Sequence, residues 1–384
     1  MKMRIGFISE VFYPYGKGGS ERRYWEVAQR LSDKHEVHVY TMRPFETGKE
    51  DMIENIKVQR ITSFRSLFTK RGRRTAWPPL KFAGALLKKL FYEDLDIIDA
   101  SAFPYFSCFP AKAYSTLHGT PLAVTFHEVW GQYWNEYLGY KVLGNIGFCI
   151  ERLCARMPDA IVSVSEHTSV KLIETLGVSP KTITVIPNGV DLALFNRVET
   201  ERFPFRILYV GRLVEHKHVD WLIHAMRYIL QKIPDSELVI IGDGPEKLRL
   251  ERLAKELHLS GKTRFFGGLE RYEDVALAMK SASVLVLPST REGFGLVLLE
   301  AMAAGTPTIA IKDEQSAATD IIRPGWNGVL APSNDVRSLA DIIVGVLKDQ
   351  EFQLKLAQNG REYVENFGWN KIAERLERLY ASLL

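Results

Sequence analysis

The feature that most constrains this chain is a repeated alternation of short apolar segments with longer helical ones. Seven segments rich in β-branched residues precede residue 190, and six more follow residue 205. With few exceptions, each is followed by a stretch of helical periodicity, an order typical of parallel βαβ units. The two series predict two Rossmann-like, doubly wound α/β domains. In sheets of this kind, ligands bind beyond the carboxyl ends of the strands.

The predicted domains are residues 1–195 and 205–367, with the polar stretch 192–204 as a linker without clear periodicity. A length of 384 residues suits two domains, since single hydrophobic cores stop growing at roughly 250–300 residues. A final helical pattern, 369–384, follows Gly368. Because a glycine between helices permits a sharp bend, we expect this last helix to cross back onto the N-terminal domain.

Composition excludes several classes of protein. Three cysteines without metal-site or paired spacing indicate a reduced, intracellular and cytoplasmic chain. The first residues are typical of a strand, not a signal peptide, and no apolar stretch approaches the roughly 20 residues of a membrane span. A net charge of +4 is too small to indicate nucleic-acid binding. No Cys/His cluster has zinc spacing, and Asp94-x-Asp96 is interpreted as a turn, so we expect no metal.

The segment 290–310, TREGFGLVLLEAMAAGTPTIA, places a carboxylate, Glu300, in an otherwise apolar helix. A buried carboxylate needs a partner, because leaving it unpaired costs several kcal/mol. The free amides at the start of this helix suit a phosphate, and helical side chains lean toward that end. We therefore expect Glu300 to bind sugar hydroxyls such as those of a ribose. The alternative is a solvated carboxylate on one helix face.

Three other features are weaker. Arg212 and Lys217 follow a predicted strand and suit a diphosphate, although both could be ordinary surface cations. His127 ends another predicted strand and is either structural or part of a site. The glycine turns at 16–19 and 242–247 lack the dinucleotide-binding fingerprint, which disfavours an NAD dehydrogenase.

Taken together, these segments resemble the family-four retaining glycosyltransferases over nearly the whole chain. That family has the GT-B fold of two facing Rossmann-like domains. The motifs that carry the resemblance are KGGSE, VTFHE, VIPNGVD, VGRLVEHK, IIGDGPE, REGFGLVLLEAMAAGTP and a final W…RLERLY helix.

The resemblance implies a role for each candidate residue. The donor sugar and diphosphate would be held by Glu292 and the amides after it, of Gly293, Phe294, Gly295 and Leu296. The ribose would be bound by Glu300, and the diphosphate would be neutralised by Arg212 and Lys217. Gly19 would pack against the diphosphate across the cleft, Leu269 would contact the base, and His127 would lie against the transferred sugar.

The implied reaction is metal-independent and needs no cofactor beyond the donor, a UDP- or GDP-sugar, from which a hexosyl unit passes to a hydroxyl acceptor with retention. Two positions depart from the family pattern: SAATD at 316–320 replaces Gly-Gly-x-x-Glu, and His218 stands where Gly is usual. A UDP-sugar 2-epimerase on the same scaffold and a non-catalytic sugar-nucleotide binding protein remain alternatives.

The positive charge is concentrated in one segment. Residues 55–92 contain ten Lys/Arg and no Asp or Glu. Its end, residues 65–92, combines RSLFTKRGRR with a predicted amphipathic helix. One interpretation is a helix packed on the sheet with a solvated basic face. The other is a peripheral anionic membrane surface on the inner face of the membrane, with Phe68 or Trp77 inserted, which would suit a lipid-linked acceptor.

Overall fold

The computed structural model divides the chain into two compact units. Unit 1 comprises Met1–Asn188 with Trp369–Leu384, and unit 2 comprises Gly189–Gly368. The residues that the structure describes are 2–12, 15–16, 18–44, 50–64, 66–67 and 74–384.

Unit 1 is built on an eight-stranded sheet. Its strands are β1 (Arg4–Ile8), β2 (Glu36–Pro44), β3 (Glu50–Ile53), β4 (Ile56–Phe64), β5 (Ile97–Ser101), β6 (Leu122–Phe126), β7 (Ala160–Ser163) and β8 (Ile183–Val185). The spatial order is β3-β4-β2-β1-β5-β6-β7-β8, and every pairing is parallel except that of β3 with β4. The strand order therefore reverses between β1 and β5.

Helices cover both faces of this sheet because its strands alternate apolar side chains between two cores. Ile97 and Ile98, for example, belong to different cores. The helices are α1 (Gly19–Ser32), α2 (Trp77–Leu90), α3 (Cys108–His118), α4 (Tyr133–Leu138), α5 (Lys141–Cys154) and α6 (Glu166–Glu174). One core includes α1, and the other includes α2, α3, α5 and α6.

Unit 2 has a six-stranded, all-parallel sheet. Its strands are β9 (Arg206–Val210), β10 (Glu237–Ile241), β11 (Thr263–Gly267), β12 (Val284–Leu287), β13 (Thr308–Lys312) and β14 (Val329–Pro332). The order β11-β10-β9-β12-β13-β14 reverses between β9 and β12. Its helices are α7 (Leu192–Arg197), α8 (Val219–Lys232), α9 (Lys247–Glu256), α10 (Tyr272–Ser281), α11 (Leu296–Ala303), α12 (Ala318–Ile321), α13 (Val336–Lys348) and α14 (Gln350–Val364).

The last helix, α15 (Trp369–Leu383), starts after Gly368 and belongs to unit 1. Its apolar face, with Trp369 and Tyr380 fully buried, completes the core that contains α1. The Tyr380 hydroxyl donates a hydrogen bond of 2.6 Å to Asp99 at the centre of the sheet. The helix therefore packs where its position after Gly368 predicted.

All thirteen predicted strands are present, and two details of the chain were missed. β3 was not predicted, because Glu50 and Asp51 obscure the apolar pattern of a short antiparallel edge strand. The stretch 192–204 begins with α7, whose start is capped by the Asp191 side chain accepting from the Leu194 amide at 3.0 Å. No helix among the described residues is both long and apolar enough to cross a membrane.

Candidate functional site

The reversal of strand order in unit 2 brings two loops together at one point of the sheet edge. The loop after β9 carries Lys217, and the loop after β12 carries Glu292. The Thr290 amide donates to the His216 carbonyl at 3.2 Å, which ties the loops together. Lys217 Nζ lies 2.5 Å from Glu292 Oε1, with 13% and 11% of the two side chains exposed. Two residues predicted for the same ligand are thus 75 positions apart in sequence and paired in space.

Cations converge on this point. Burial and the surrounding charges of Lys217, Arg291 and Arg212 lower the pKa of His216 to about 3, so this imidazole is neutral at physiological pH. The Arg212 side chain is exposed directly after β9. His216 and Arg291 were missed by sequence reasoning, although each adjoins a residue that was selected. The positive electrostatic potential at this edge of the sheet therefore favours the binding of an anion.

The turn into α11 requires glycine and is held by its neighbours. Gly295, the residue before the helix, has φ of 88°, a left-handed conformation that side chains disfavour. The Glu292 carbonyl accepts from the Ala317 amide at 2.9 Å. That amide belongs to the segment where this chain departs from the family pattern, so the departure is accommodated within the fold. The half-exposed Gly293 and Leu296 and the buried Phe294 complete the turn.

Glu300 is 7% exposed among buried apolar neighbours in α11. Its carboxylate accepts a hydrogen bond from the Tyr272 hydroxyl at the start of α10. Tyr272 is a protein partner of the buried carboxylate, and sequence reasoning missed it. The half-buried Leu269 lies just before Tyr272, in the segment that leaves β11. The sheet edge thus brings the predicted ribose and base contacts near each other.

Glycines after β10 pack against the loop after β9. A Cβ atom on Gly242 would lie 1.8 Å from the Gly211 carbonyl oxygen, and one on Gly244 would lie 2.2 Å from the Leu213 carbonyl oxygen. The sequence GDGPE is therefore explained by the close approach of two backbones.

The unit 1 candidates are His127 and Gly19. His127 follows β6, and burial together with the nearby Arg23 guanidinium lowers its pKa to about 3. Its ring lies edge-on to Tyr24, whose hydroxyl donates to Asp99 at 2.8 Å. The exposed Gly19 begins α1. A carboxylate within the apolar strand β5 was the signal that could have revealed the Asp99 network. The roles of His127 and Gly19 stay predictions.

The point where strand order reverses in unit 1 holds a buried ion pair. Glu10, just beyond β1, lies 2.5 Å from an Arg74 guanidinium nitrogen. Burial raises the pKa of Glu10 to about 7 although Arg74 opposes the shift. The Arg74 guanidinium also lies over the Phe103 ring, 5.5 Å from its centroid. Arg74 is the last residue of the basic sequence RSLFTKRGRR, which was predicted to meet a membrane, and this pairing removes it from the cations available for that contact.

Comparison with known proteins assigns the family. Residues 17–194 match the family model described as Glycosyltransferase Family 4, and residues 195–363 match that of Glycosyl transferases group 1. The chain belongs to the family-four glycosyltransferases. It is therefore a transferase enzyme, as the resemblance predicted.

Two relatives of this glycosyltransferase match over nearly their full length. It is 28% identical to N-acetyl-alpha-D-glucosaminyl L-malate synthase of Bacillus anthracis, covering 100% of this chain and 98% of the relative. It is also 28% identical to glycogen synthase of Mycobacterium tuberculosis, covering 98% and 94%.

Solved structures confirm the predicted GT-B fold. The sucrose-phosphate synthase of Thermosynechococcus elongatus superposes with a TM-score of 0.82 at 22% identity, covering 100% of this chain and 99% of that one. Anabaena HepE in complex with UDP-glucose superposes with a TM-score of 0.78 at 20% identity, covering 99% and 100%.

The basic segment of the glycosyltransferase is described only in part. Residues 65 and 68–73, with Phe68, Arg71 and Arg73, lie outside the described residues. The large apolar side chains predicted for one half of this amphipathic helix, α2 with Phe91 after it, fall into a buried set and an exposed set. The buried members are Phe82, Leu86 and Leu90, and the exposed members are Leu80, Leu87 and Phe91, in line with Trp77. An apolar stripe therefore faces outward beside the exposed Lys81 and Lys88.

The two aspartates weighed as metal ligands are engaged elsewhere. Asp96 binds the Arg4 guanidinium at 2.8 Å, and Asp94 contacts the same guanidinium. Within the described part of the chain, no group of three His, Cys, Asp or Glu side chains is arranged to hold a metal ion. Both aspartates thus tie the connection before β5 to Arg4 at the start of β1, and the absence of a metal ion stays a prediction.

Proposed function

We propose that this glycosyltransferase moves a hexosyl unit from a nucleoside-diphosphate sugar to a hydroxyl acceptor, with retention and without a metal ion. The observation that carries the proposal is the Lys217–Glu292 pair beside Arg212 at the strand reversal of unit 2. Cations and a helix start at the carboxyl edge of a parallel sheet form a site for a diphosphate.

The cations have a catalytic role in this proposal. When the bond from the anomeric carbon to the diphosphate breaks, negative charge grows on the leaving oxygen. Arg212, Lys217 and the first amides of α11 stabilise that charge as it develops, which lowers the barrier without a metal ion. Glu292 orients Lys217 and accepts hydrogen bonds from the sugar. The acceptor oxygen bonds to the anomeric carbon on the face that the diphosphate leaves, and the departing phosphate takes the acceptor proton. The low pKa of His127 makes that imidazole too weak a base to compete for this proton.

The nucleoside is bound further along the same edge. Glu300 accepts hydrogen bonds from the ribose hydroxyls, and the Tyr272 hydroxyl orients the carboxylate. Main-chain groups around Leu269 contact the base. Since HepE was solved with UDP-glucose, we place UDP-sugars first among the donors and GDP-sugars second.

The direct test of this proposal is a screen of UDP-, GDP- and ADP-sugars for a rise in melting temperature, followed by NMR of the reaction with the best donor. We expect transfer to a hydroxyl acceptor with the anomeric configuration retained. Product of inverted configuration would overturn the mechanism. Conversion of the donor into its 2-epimer, without any acceptor, would support the epimerase alternative instead.

We further propose that the segment 65–92 rests on an anionic membrane surface and that the acceptor is lipid-linked. Support comes from the outward stripe of α2, where Trp77 is 74% exposed and Lys81 and Lys88 flank apolar side chains. Co-sedimentation should occur with vesicles rich in phosphatidylglycerol and not with phosphatidylcholine. Binding should weaken at high salt and in Lys81→Ser/Lys88→Ser, whereas Lys232→Ser in unit 2 should bind normally. Equal recovery in the supernatant with both vesicles would favour a soluble acceptor.

A further inference from the structure

Helix α5 has one face fixed against the rest of unit 1. Gly144 and Gly147 lie under α4, where a Cβ atom would come 2.7 Å from the Asn135 Cα or 2.7 Å from the Trp134 ring. These contacts leave no room for a side chain at either position. Helix α5 can therefore pack against α4 in only one orientation about its own axis. Its opposite face is held toward solvent by the packing itself.

A buried carboxylate locks α5 to the neighbouring loops. Glu151 accepts hydrogen bonds from the Trp130 amide at 2.7 Å, the Gly131 amide at 2.9 Å and the Tyr105 hydroxyl at 2.7 Å. The indole nitrogen of Trp134 donates a fourth, at 3.0 Å. Although burial raises the pKa of Glu151, these donors oppose the shift. The helix is therefore anchored to the segment that follows β6.

The outward face of α5 is apolar along its whole length. Val142 is 72% exposed, and Ile146 and Leu153 are each about half exposed, with Cys149 between them. The spacing of three and four residues forms one continuous stripe. A solvent-exposed helix normally carries polar residues on this face, so the stripe indicates a contact surface.

The exposed charges on α5 and just beyond its end have a single sign. Lys141, Arg152 and Arg156 are exposed on or just beyond α5, whereas its one acidic residue, Glu151, is fully buried. A second copy packed antiparallel on this stripe would bring Lys141 of one chain near Arg152 and Arg156 of the other. Such like charges oppose association. An anionic bilayer instead attracts the cations and takes up the apolar side chains.

We propose that the outer face of α5 is a lipid-contacting surface, separate from the segment 65–92, that lies in the headgroup region of an anionic bilayer. Both α2 and α5 border the same core on one side of the unit 1 sheet. Two helices at separate positions on one layer would define the orientation of unit 1 on the membrane. This inference does not rest on the transferase activity, and its test has no catalytic readout.

Cys149 supplies a probe at the centre of the stripe. It is exposed, whereas Cys108 and Cys154 are buried, so a polarity-sensitive fluorophore can be attached there in the full, otherwise unaltered chain. We expect a blue shift of its emission with vesicles rich in phosphatidylglycerol, no shift with phosphatidylcholine, and reversal at high salt. Ile146→Asp should weaken vesicle binding by roughly tenfold, because it places an acid among lipid headgroups. Leu354→Asp, at an exposed apolar position on α14, is the matched control and should bind like the wild type.

Two results would overturn the proposal. One is an unshifted probe on protein that co-sediments with anionic vesicles, which would leave lipid contact to the segment 65–92 alone. The other is a shift that grows with protein concentration in the absence of vesicles, accompanied by a Cys149–Cys149 disulfide under mild oxidation, which would assign the stripe to a second copy. Ile146→Asp should retain the wild-type melting temperature, since the side chain it replaces is half exposed.

Discussion

The two units share the order of the three parallel strands on each side of the strand reversal, but they differ in the side chains that they place at that point. In unit 2, that point holds the Lys217–Glu292 pair beside the exposed Arg212 and the start of α11. In unit 1, it holds the buried pair of Glu10 and Arg74 beside the Phe103 ring. Topology thus fixes where a ligand site can form, and the side chains at that edge decide whether it can hold an anion.

Their outer surfaces differ as well. Of the twenty exposed large apolar side chains among the described residues, sixteen belong to unit 1, which directs the search for a surface contact to that unit. Residues 1–195 carry 25 Lys/Arg against 20 Asp/Glu, whereas residues 196–384 carry 25 against 26. Unit 1 is therefore suited to an anionic surface, and unit 2 concentrates its cations in one site.

The largest expected effect concerns the unit 2 cations. Arg212→Ala and Lys217→Ala should each slow sugar transfer by roughly 10²–10³-fold, because each removes stabilisation of the leaving diphosphate. Steady-state kinetics with a saturating donor measures this. Lys232→Ala, which removes an exposed cation on the same unit, is the control and should transfer at the wild-type rate. If Arg212→Ala and Lys217→Ala both transferred sugar at the wild-type rate, the diphosphate site could not be assigned to unit 2.

The ion pair of unit 1 should make the free energy of unfolding depend on pH. The raised pKa of Glu10 means that its contribution to stability is complete below pH 4.5 and is lost as the pH rises through about 7. Glu10→Gln cannot ionise, so its free energy of unfolding relative to the wild type should rise by up to about 3 kcal/mol between about pH 5 and about pH 8. Urea unfolding at several pH values measures this, with the exposed Glu166→Gln as control. A difference independent of pH would mean that Glu10 stays ionised in the fold.

Substitution of Glu300 tests whether the buried carboxylate of α11 binds a ligand or has only a structural role. Glu300→Gln should weaken nucleoside-diphosphate binding by about 1.5–3 kcal/mol, because a charge-assisted hydrogen bond is lost, while stability holds or rises. Tyr272→Phe should weaken binding less, since the carboxylate itself remains. Titration calorimetry measures both affinities. Unchanged affinity in Glu300→Gln would leave that carboxylate with a structural role, such as its hydrogen bond with Tyr272, and would end the ribose assignment.

The smallest expected effect is that of chelation. Transfer should continue at an undiminished rate in EDTA, since side-chain cations neutralise the diphosphate. A strict requirement for Mg²⁺ or Mn²⁺ would contradict the role given to Arg212 and Lys217.

The strands and the candidate residues at their ends could be predicted from the sequence, because hydrophobic periodicity and position at a strand end are local signals. Glu300 was selected because its charge conflicts with an apolar helix, but Tyr272, 28 positions away, could not be identified as its partner. Arg74 was misjudged for the same reason, since its pairing with Glu10 spans 64 positions. Which face of a helix is covered is also a tertiary property, so the outward stripe of α5 became apparent only in the structure.

The central claim is that unit 2, and not unit 1, holds the donor nucleotide at its strand reversal. Hydrogen–deuterium exchange of the intact chain tests it directly, with and without whichever of UDP, GDP or ADP raises the melting temperature most. We predict that protection on binding is concentrated in residues 211–217, 267–272 and 292–300, with α2 and α5 unchanged. Protection confined to the loops after β1 and β5, with those three segments unaffected, would contradict the account.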